Sequence, residues 1–456
     1  MSRHVVIGRF GSKDKTAVPT GTGEVATQLQ FVRVKHWLEF GIGQALDDLL
    51  KLDIYPTEIG VDLLVLAAHV HAADTRLSRD TESQDNWTRE IRLVVPVSDV
   101  GRWRSAGAVL SRTLNFLTGD LWTIEFRSRP AGFETTVKPL PLQFTKPSFD
   151  VLSLFSGGLD SLIGAIDSLE QGRNPLFVSH AGEPAVSAAQ DGLFEKLQKN
   201  YKGRPFDRLR IWMSFPDGLV KDVPSDKSTR ARSFLFFSTA VFAGTGLDNG
   251  ISLRVPENGL IALNVPLDPL RLGALSTRTT HPFYMARWNE LLGILGIPIV
   301  IENPYWDKTK GEMVASCTNR ALLKRLIPET LSCASPTKGR WKGHGTEHCG
   351  YCLPCLIRRA AIHGGLSKND PTTYTLADLR EHVLDTKEAE GRQVRSFQFA
   401  IERLKKQPKL ASLLIHKPGP LMDESPERQV ALADVYRRGM KEIAALLAGV
   451  QTAPIR

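Results

Sequence analysis

The sequence predicts an α/β protein whose core is a parallel sheet, and three observations carry that expectation. From Phe149 onward, short apolar runs alternate with stretches of helical period, the pattern of strands joined by crossover helices. One run, Val151-Leu152-Ser153-Leu154-Phe155, leads directly into two glycines and then a helix with Leu162, Ile163, Ile166 and Leu169 on one face. Further along, four cysteines crowd into a short stretch, the pattern of a metal-bound knuckle.

A chain of 456 residues with 42% apolar and 23% charged residues can bury two or three domain cores without disulfides. The opening Met-Ser-Arg-His-Val-Val-Ile-Gly lacks the apolar core of a signal peptide, and no window reaches the roughly eighteen apolar residues of a membrane span. A cytoplasmic protein with no membrane partner is expected. Four of the five cysteines fall together, which fits a metal site in a reducing compartment. The formal charge is +9, and residues 320–359 hold eight Lys or Arg against two acids, a local +6. Such a surface is either a solvated basic face or an attraction for phosphates, nucleic acid or an acidic partner.

In residues 1–145, the runs at 61–67, 91–97 and 121–126 read as strands, giving an N-terminal α+β domain with a role in partner binding and residues 139–147 as its linker. Asp74, Arg76, Arg79, Asp80 and Trp87 read as an exposed polar loop. The α/β core occupies residues 149–366. Residues 367–456 read as a helical C-terminal extension, with helix-period stretches at 375–384 and 429–447 separated by Pro408, Pro418, Pro420 and Pro426.

The glycine turn is Ser156-Gly157-Gly158-Leu159-Asp160-Ser161. It lies between the end of a strand and the start of a helix, where free backbone N–H groups and the helix dipole favour an anion. Adjacent glycines let the backbone approach phosphate oxygens, and the Ser156 and Ser161 hydroxyls add donors. An acid such as Asp160 suits holding a magnesium ion that bridges phosphates. No G-x-x-x-x-G-K-[ST] element occurs, which argues against γ-phosphate hydrolysis of the common P-loop kind. The hexapeptide resembles the SGGxDS motif of the PP-loop ATP pyrophosphatases, whose adenine nucleotide alpha hydrolase-like core splits ATP between its α and β phosphates.

Cys333, Cys349, Cys352 and Cys355 are spaced C-x15-C-x2-C-x2-C, and four thiolates so placed close a tetrahedral zinc site with no open position. The zinc is expected to be structural. His344 and His348 lie near enough to be alternative ligands, and Cys317 reads as a core cysteine.

The PP-loop with a downstream four-cysteine site resembles the 7-cyano-7-deazaguanine synthase (QueC) family over about residues 149–366. Further similar segments are Pro256-Glu257-Asn258-Gly259, Ser276-Thr277-Arg278-Thr279-Thr280-His281-Pro282, Thr229-Arg230-Ala231-Arg232-Ser233 and Lys308-Thr309-Lys310. The resemblance implies ATP, Mg2+ and Zn2+ as cofactors and adenylation of a 7-deazaguanine carboxylate, followed by attack of an amine and release of AMP. It implies that Ser156, Gly157, Gly158, Leu159, Asp160, Ser161, Arg230 and Arg232 bind the nucleotide. Asp160, Ser161 and Lys310 would act in catalysis, and Lys308 would be a further phosphate contact. After its second strand this chain reads Ser179-His180-Ala181-Gly182-Glu183, where the family usually carries a Tyr-Gly-Gln type segment. The long form, with both terminal additions, resembles the QueC-like component of Qat anti-phage defence systems, which implies protein partners from a defence operon and an acceptor amine on a partner protein. Two other readings are a nucleic-acid base-modifying PP-loop enzyme and an ATP-sensing subunit without chemistry.

Overall fold

The computed structural model describes residues 3–455 apart from 35, 85, 142–146, 227, 249, 269–277, 338–342, 344 and 367–369. The first unit runs β1 (Arg3–Phe10), β2 (Glu24–Val32), α1 (Ile42–Leu50), α2 (Glu58–Arg76), α3 (Arg79–Glu82), β3 (Glu90–Val97), α4 (Val100–Thr118) and β4 (Leu121–Ser128). Its sheet has the order β2-β1-β3-β4 and every pairing is parallel. It is therefore an α/β unit, where an α+β domain was expected. Residues 91–97 and 121–126 fall in β3 and β4 as read from the sequence. Residues 61–67 do not form a strand. They belong to α2, which is buried on nearly every side, so a mainly apolar run marks a core helix here as well as it would a strand.

Alternation in β3 sends Ile91, Leu93, Val95 and Val97 into the main core. Val94 faces the other way and joins Val5 and Ile7 of β1 in a small cluster that Val18, from the crossover between β1 and β2, packs against.

The second unit runs β5 (Val151–Leu154), α5 (Leu159–Glu170), β6 (Pro175–His180), α6 (Pro184–Asn200), β7 (Asp207–Ile211), α7 (Arg232–Gly244), β8 (Ser252–Arg254), α8 (Gly259–Leu263), α9 (Pro282–Ile294), β9 (Val300–Glu302), α10 (Lys310–Ser316), α11 (Arg320–Leu326) and α12 (Leu353–Gly365). Its five-stranded sheet is also parallel, in the order β7-β6-β5-β8-β9. The alternation of strands and helices from Phe149 is thus present, as expected of an α/β chain.

The two units share one core. Helix α2 packs on α7 and α4 on α9, so a double layer of helices lies between the two sheets, and the largest hydrophobic cluster runs through both. The polar cluster read as an exposed loop is also buried in part. Asp74 is fully buried and Arg79 nearly so. Arg79 and Arg89 each reach Asp120 Oδ2 at 2.6 Å and Asp74 Oδ1 at 3.1 Å. Asp226, from the second unit, accepts from the Arg79 backbone at 2.7 Å, and Asp74 Oδ2 accepts from the Ala231 backbone at 2.8 Å. Buried charges are tolerable only when paired and hydrogen-bonded in this way.

The C-terminal extension comprises β10 (Leu384–Asp385), α13 (Ala389–Lys406), α14 (Ala411–Leu414), α15 (Pro426–Leu446) and β11 (Thr452–Ala453). Residues 429–447 lie in α15 and its C-cap, but residues 375–384 form no helix. Their backbone pairs with the cysteine segment instead, Thr375 N donating to His348 O at 2.9 Å and Leu376 N to Cys349 O at 3.1 Å. Helix α15 packs against α12 and α8, and its core joins Leu260, Leu263 and Leu356.

Candidate active site and metal centre

In the second sheet the chain steps from β5 outward to β6 and β7 on one side, then returns to place β8 and β9 on the other. The carboxyl ends of β5 and β8 therefore diverge, leaving the crevice where open α/β sheets bind ligands. A cleft of about 500 Å³ sits there. Ser156, Gly158, Asp160 and Ser161 line it from the turn after β5, Glu257 from the turn after β8, and Lys310 from the start of α10. Gln393 and Phe397 of α13 and Tyr436 of α15 add a wall from the C-terminal extension.

The turn after β5 takes its shape from Gly157, whose φ is +80°, a region costly for residues with a Cβ. An added Cβ would also lie 3.1 Å from Gln190 Cγ and 3.2 Å from its backbone nitrogen. Gly158 then caps α5. The hydroxyls of Ser156 and Ser161 lie 3.2 Å apart, Ser161 donating to Gly158 O at 2.9 Å and Ser156 accepting from Gly158 N at 3.3 Å. Leu159 lines the edge of the cleft but is buried in the core beneath it. The segment before Cys333 braces the turn, Leu331 N donating to Gly157 O at 2.9 Å and Leu159 N to Ser332 Oγ at 3.3 Å.

Asp160 is held on both oxygens. Its Oδ1 lies 3.0 Å from Lys310 Nζ, and its Oδ2 accepts from Asn258 Nδ2 at 2.7 Å and Asn258 N at 3.2 Å. Asn258 also caps α8, accepting from Ile261 N at 3.1 Å, so one amide side chain serves as donor and acceptor at once. An aspartate in its place would set two carboxylates against each other. Gly259 allows this approach, because a Cβ there would lie 2.2 Å from Trp306 O. Lys310 is fixed in turn by the capping box of Thr309 and Glu312 at the head of α10 and by Glu442 of α15, which accepts from Thr309 Oγ1 and from Gly311 N. Asp160, the magnesium ligand expected from the sequence, thus faces Lys310 through Oδ1 and Asn258 through Oδ2.

Glu257 sits beside this pair. Asn303 clamps its backbone, Nδ2 donating to Glu257 O at 2.7 Å and Oδ1 accepting from Glu257 N at 3.4 Å. Thr280 Oγ1 donates to Oε2, and among the described residues no donor reaches Oε1. Desolvation pushes the carboxyl up to about 7; the Thr280 bond opposes that shift and the Asp160 charge adds to it.

Cys333, Cys349, Cys352 and Cys355 come together with their sulfurs within 4.8 Å of one another. Cys333 and Cys352 lie 3.9 Å apart, as do Cys349 and Cys355. Tetrahedral zinc with Zn–S of about 2.3 Å requires sulfurs about 3.8 Å apart, so the four thiolates can hold such an ion with little movement. Backbone N–H groups of Ser335 and Cys349 point at Cys333 Sγ, both at 3.4 Å, and Cys352 N at Cys349 Sγ at 3.3 Å, an arrangement that suits thiolate charge. The centre abuts the cleft, since Cys352, at the head of α12, belongs to both. His348 is not among the cluster and accepts from Ser332 N at 3.1 Å, while His344 and the basic residues Lys338, Arg340 and Lys342 lie outside the described residues. Cys317 is buried in the core.

Not every expected site residue reaches the cleft. Arg230 sits over Trp87, 4.2 Å from its ring centre, and donates to Thr118 O at 2.8 Å. Arg232 stands over Phe236, and burial lowers its pKa, with Glu183 the charge that opposes the shift. Neither lines the cleft, and Lys308 is turned to Ser316 Oγ at 3.1 Å and the Tyr305 ring. Ser276 and Thr277 lie outside the described residues. Gln393, Phe397 and Tyr436 were not singled out by sequence, having no motif to mark them. Comparison with models of known protein families yields no match, and no curated protein matches the chain.

Proposed function

We propose that the protein is an ATP-dependent adenylating enzyme of the PP-loop type, related to the QueC family, that activates a 7-deazaguanine carboxylate for attack by an amine. The observation that carries this reading is the meeting, in one cleft at the sheet's switch point, of the Ser156–Ser161 turn with the Lys310–Asp160 ion pair. A phosphate chain seated on the turn would meet backbone N–H groups, two hydroxyls and a lysine already aimed by Asp160. Lys310 would then offset charge that builds up as pyrophosphate departs. Magnesium would enter on the nucleotide, held chiefly by phosphate oxygens.

The carboxylate oxygen attacks the α-phosphorus, pyrophosphate leaves, and the resulting acyl adenylate has a good leaving group where a bare carboxylate has none. An amine then adds to the carbonyl carbon and AMP departs. The walls supplied by Phe397, Tyr436 and Leu260 suit a flat heteroaromatic acid, and the C-terminal extension gives this chain a substrate wall of its own. Zinc at the four cysteines would have a structural part, holding the segment that braces Gly157 and Leu159. A place in a defence operon, and an acceptor amine on a partner protein, belong to the same proposal and rest on the sequence resemblance.

The test is incubation of the purified protein with magnesium ATP and 7-carboxy-7-deazaguanine, with ammonia or with the products of neighbouring genes, following AMP, pyrophosphate and the masses of small molecules and proteins. Substrate-dependent AMP and pyrophosphate with an amide, a nitrile or a protein adduct is the expected result. ADP and phosphate, or no turnover under any of these conditions, would remove the assignment.

A further inference from the structure

We propose that Glu257 is the general base of the second half-reaction, taking a proton from the amine as it attacks the acyl adenylate. The inference rests on the adenylation reading above and adds a residue to it. Four features of the geometry point to this role. Glu257 lines the same cleft as the phosphate-binding turn. Its backbone is pinned on both sides by Asn303, so the side chain leaves from a fixed point. Thr280 holds Oε2 and leaves Oε1 without a donor among the described residues. Asp160, the other carboxylate in the cleft, is ion-paired with Lys310 and accepts twice from Asn258.

The charged groups that face Glu257 are Asp160 of α5 and Lys310 of α10, one raising and one lowering its proton affinity. The uncharged hydroxyl of Tyr436 of α15 lines the same cleft. His281, next to Thr280, is buried and stays neutral, its pKa lowered to about 3 by desolvation, with the Arg278 charge second. The pocket thus holds a carboxylate poised near neutrality, where a base can both accept a proton and release it between turnovers.

The step balances. The amine nitrogen gives its lone pair to the carbonyl carbon, forming the C–N bond, and one N–H proton passes to Glu257 Oε1. The C–O bond to the phosphate then breaks and AMP leaves with that electron pair. The proton on Glu257 is lost to solvent before the next cycle.

The experiment compares wild type with Glu257→Gln and Glu257→Asp, using magnesium ATP and 7-carboxy-7-deazaguanine. Carboxylate-dependent exchange of pyrophosphate into ATP reads the first half-reaction. Amide formation from ammonia reads the second, and from hydroxylamine, a stronger nucleophile whose N–H is more acidic once bonded to the carbonyl carbon, it reads attack that depends less on a base. The expected result for Glu257→Gln is exchange within about twofold of wild type, with ammonia-dependent product down by on the order of 10²–10⁴-fold. Hydroxylamine should restore much of the product, and the acid limb of the pH–rate profile, taken per free ammonia, should disappear. Glu257→Asp, which keeps the charge on a shorter arm, should fall between the two. Exchange that fails together with product formation and returns at high magnesium would make Glu257 a metal ligand and overturn the proposal. Wild-type rates with ammonia in Glu257→Gln would also overturn it. Absence of exchange in wild type would instead sink the adenylation reading on which it stands.

Discussion

Asp160 and Lys310 are 8% and 4% exposed, and neither can be cut back without leaving the other's charge partly uncompensated. Breaking a buried pair by removing one partner typically costs about 3–5 kcal/mol. Asn258 still donates to Asp160 when the lysine is lost, so Lys310→Met should destabilise the fold by the lower end of that range, about 3 kcal/mol, in urea unfolding. Turnover should be lost in the same variant while tryptophan fluorescence shows it folded at pH 7. Glu257 gives a pH signature of its own. Its folded-state pKa is raised above the ordinary 4.5, so between about pH 4.5 and 7 the folded protein binds the extra proton and stability falls as pH rises. Glu257→Gln should therefore gain more thermal stability over wild type at about pH 8 than at about pH 5. An equal change at both would contradict the raised pKa. At this scale the glycine turn was named from sequence because chemistry demands those residue types at that spacing, whereas Asp160 and Lys310 were named separately and their pairing came only with the fold. Arg230 and Arg232 were expected at the phosphates because a basic turn looks the same whether it faces a nucleotide or, as here, an aromatic ring and a carbonyl.

Two elements carry the site from behind, the cysteine knuckle and α15. The knuckle holds Leu331 and Ser332 against the glycine turn, and residues 375–376 add backbone bonds to its far side. Chelation of the metal, or Cys352→Ser, should release the segment around residues 331–376 first. Hydrogen exchange would show it as lost protection there and around Gly157, with β1 to β4 unchanged; uniform protection after metal removal would contradict a structural role. Glu442 of α15 grips Thr309 and Gly311, and Arg438 reaches Glu312 at 2.7 Å. These elements also show where sequence stopped being legible. The run at 375–384 has helical spacing, but its first residues find better hydrogen-bond partners on the knuckle, a tertiary contact that periodicity cannot see. The run at 61–67 is apolar but for the buried Asp62 because α2 is enclosed on both sides, so it shows no period to tell helix from strand.

At the scale of the whole molecule, the shared core makes residues 3–128 part of the body that supports the site. The seam is held by the buried charges of Arg79, Arg89, Asp74, Asp120 and Asp226. Asp120→Ala leaves two buried guanidinium groups short of a partner and should cost about 3–5 kcal/mol in urea unfolding. This seam was not legible in sequence, since its residues are spread over 150 positions and only folding brings them together. Acid should loosen the body as well. His69 and His71 are lowered to about 4, and His180 and His281 to about 3, in each case chiefly by burial. Below about pH 6.5 the unfolded chain takes up protons that the folded one refuses, so stability falls towards pH 4 by at most roughly 5 kcal/mol per pH unit. Urea midpoints at pH 7 and pH 5 would show it.

The central claim, that this cleft makes an acyl adenylate, is tested most directly with 7-carboxy-7-deazaguanine whose carboxylate carries heavy oxygen, incubated with magnesium ATP and an amine. The AMP formed is then weighed by mass spectrometry. Attack of the carboxylate on the α-phosphorus predicts one heavy oxygen in AMP, and none in the Lys310→Met variant, which forms no AMP. Unlabelled AMP, or ADP in its place, would contradict adenylation.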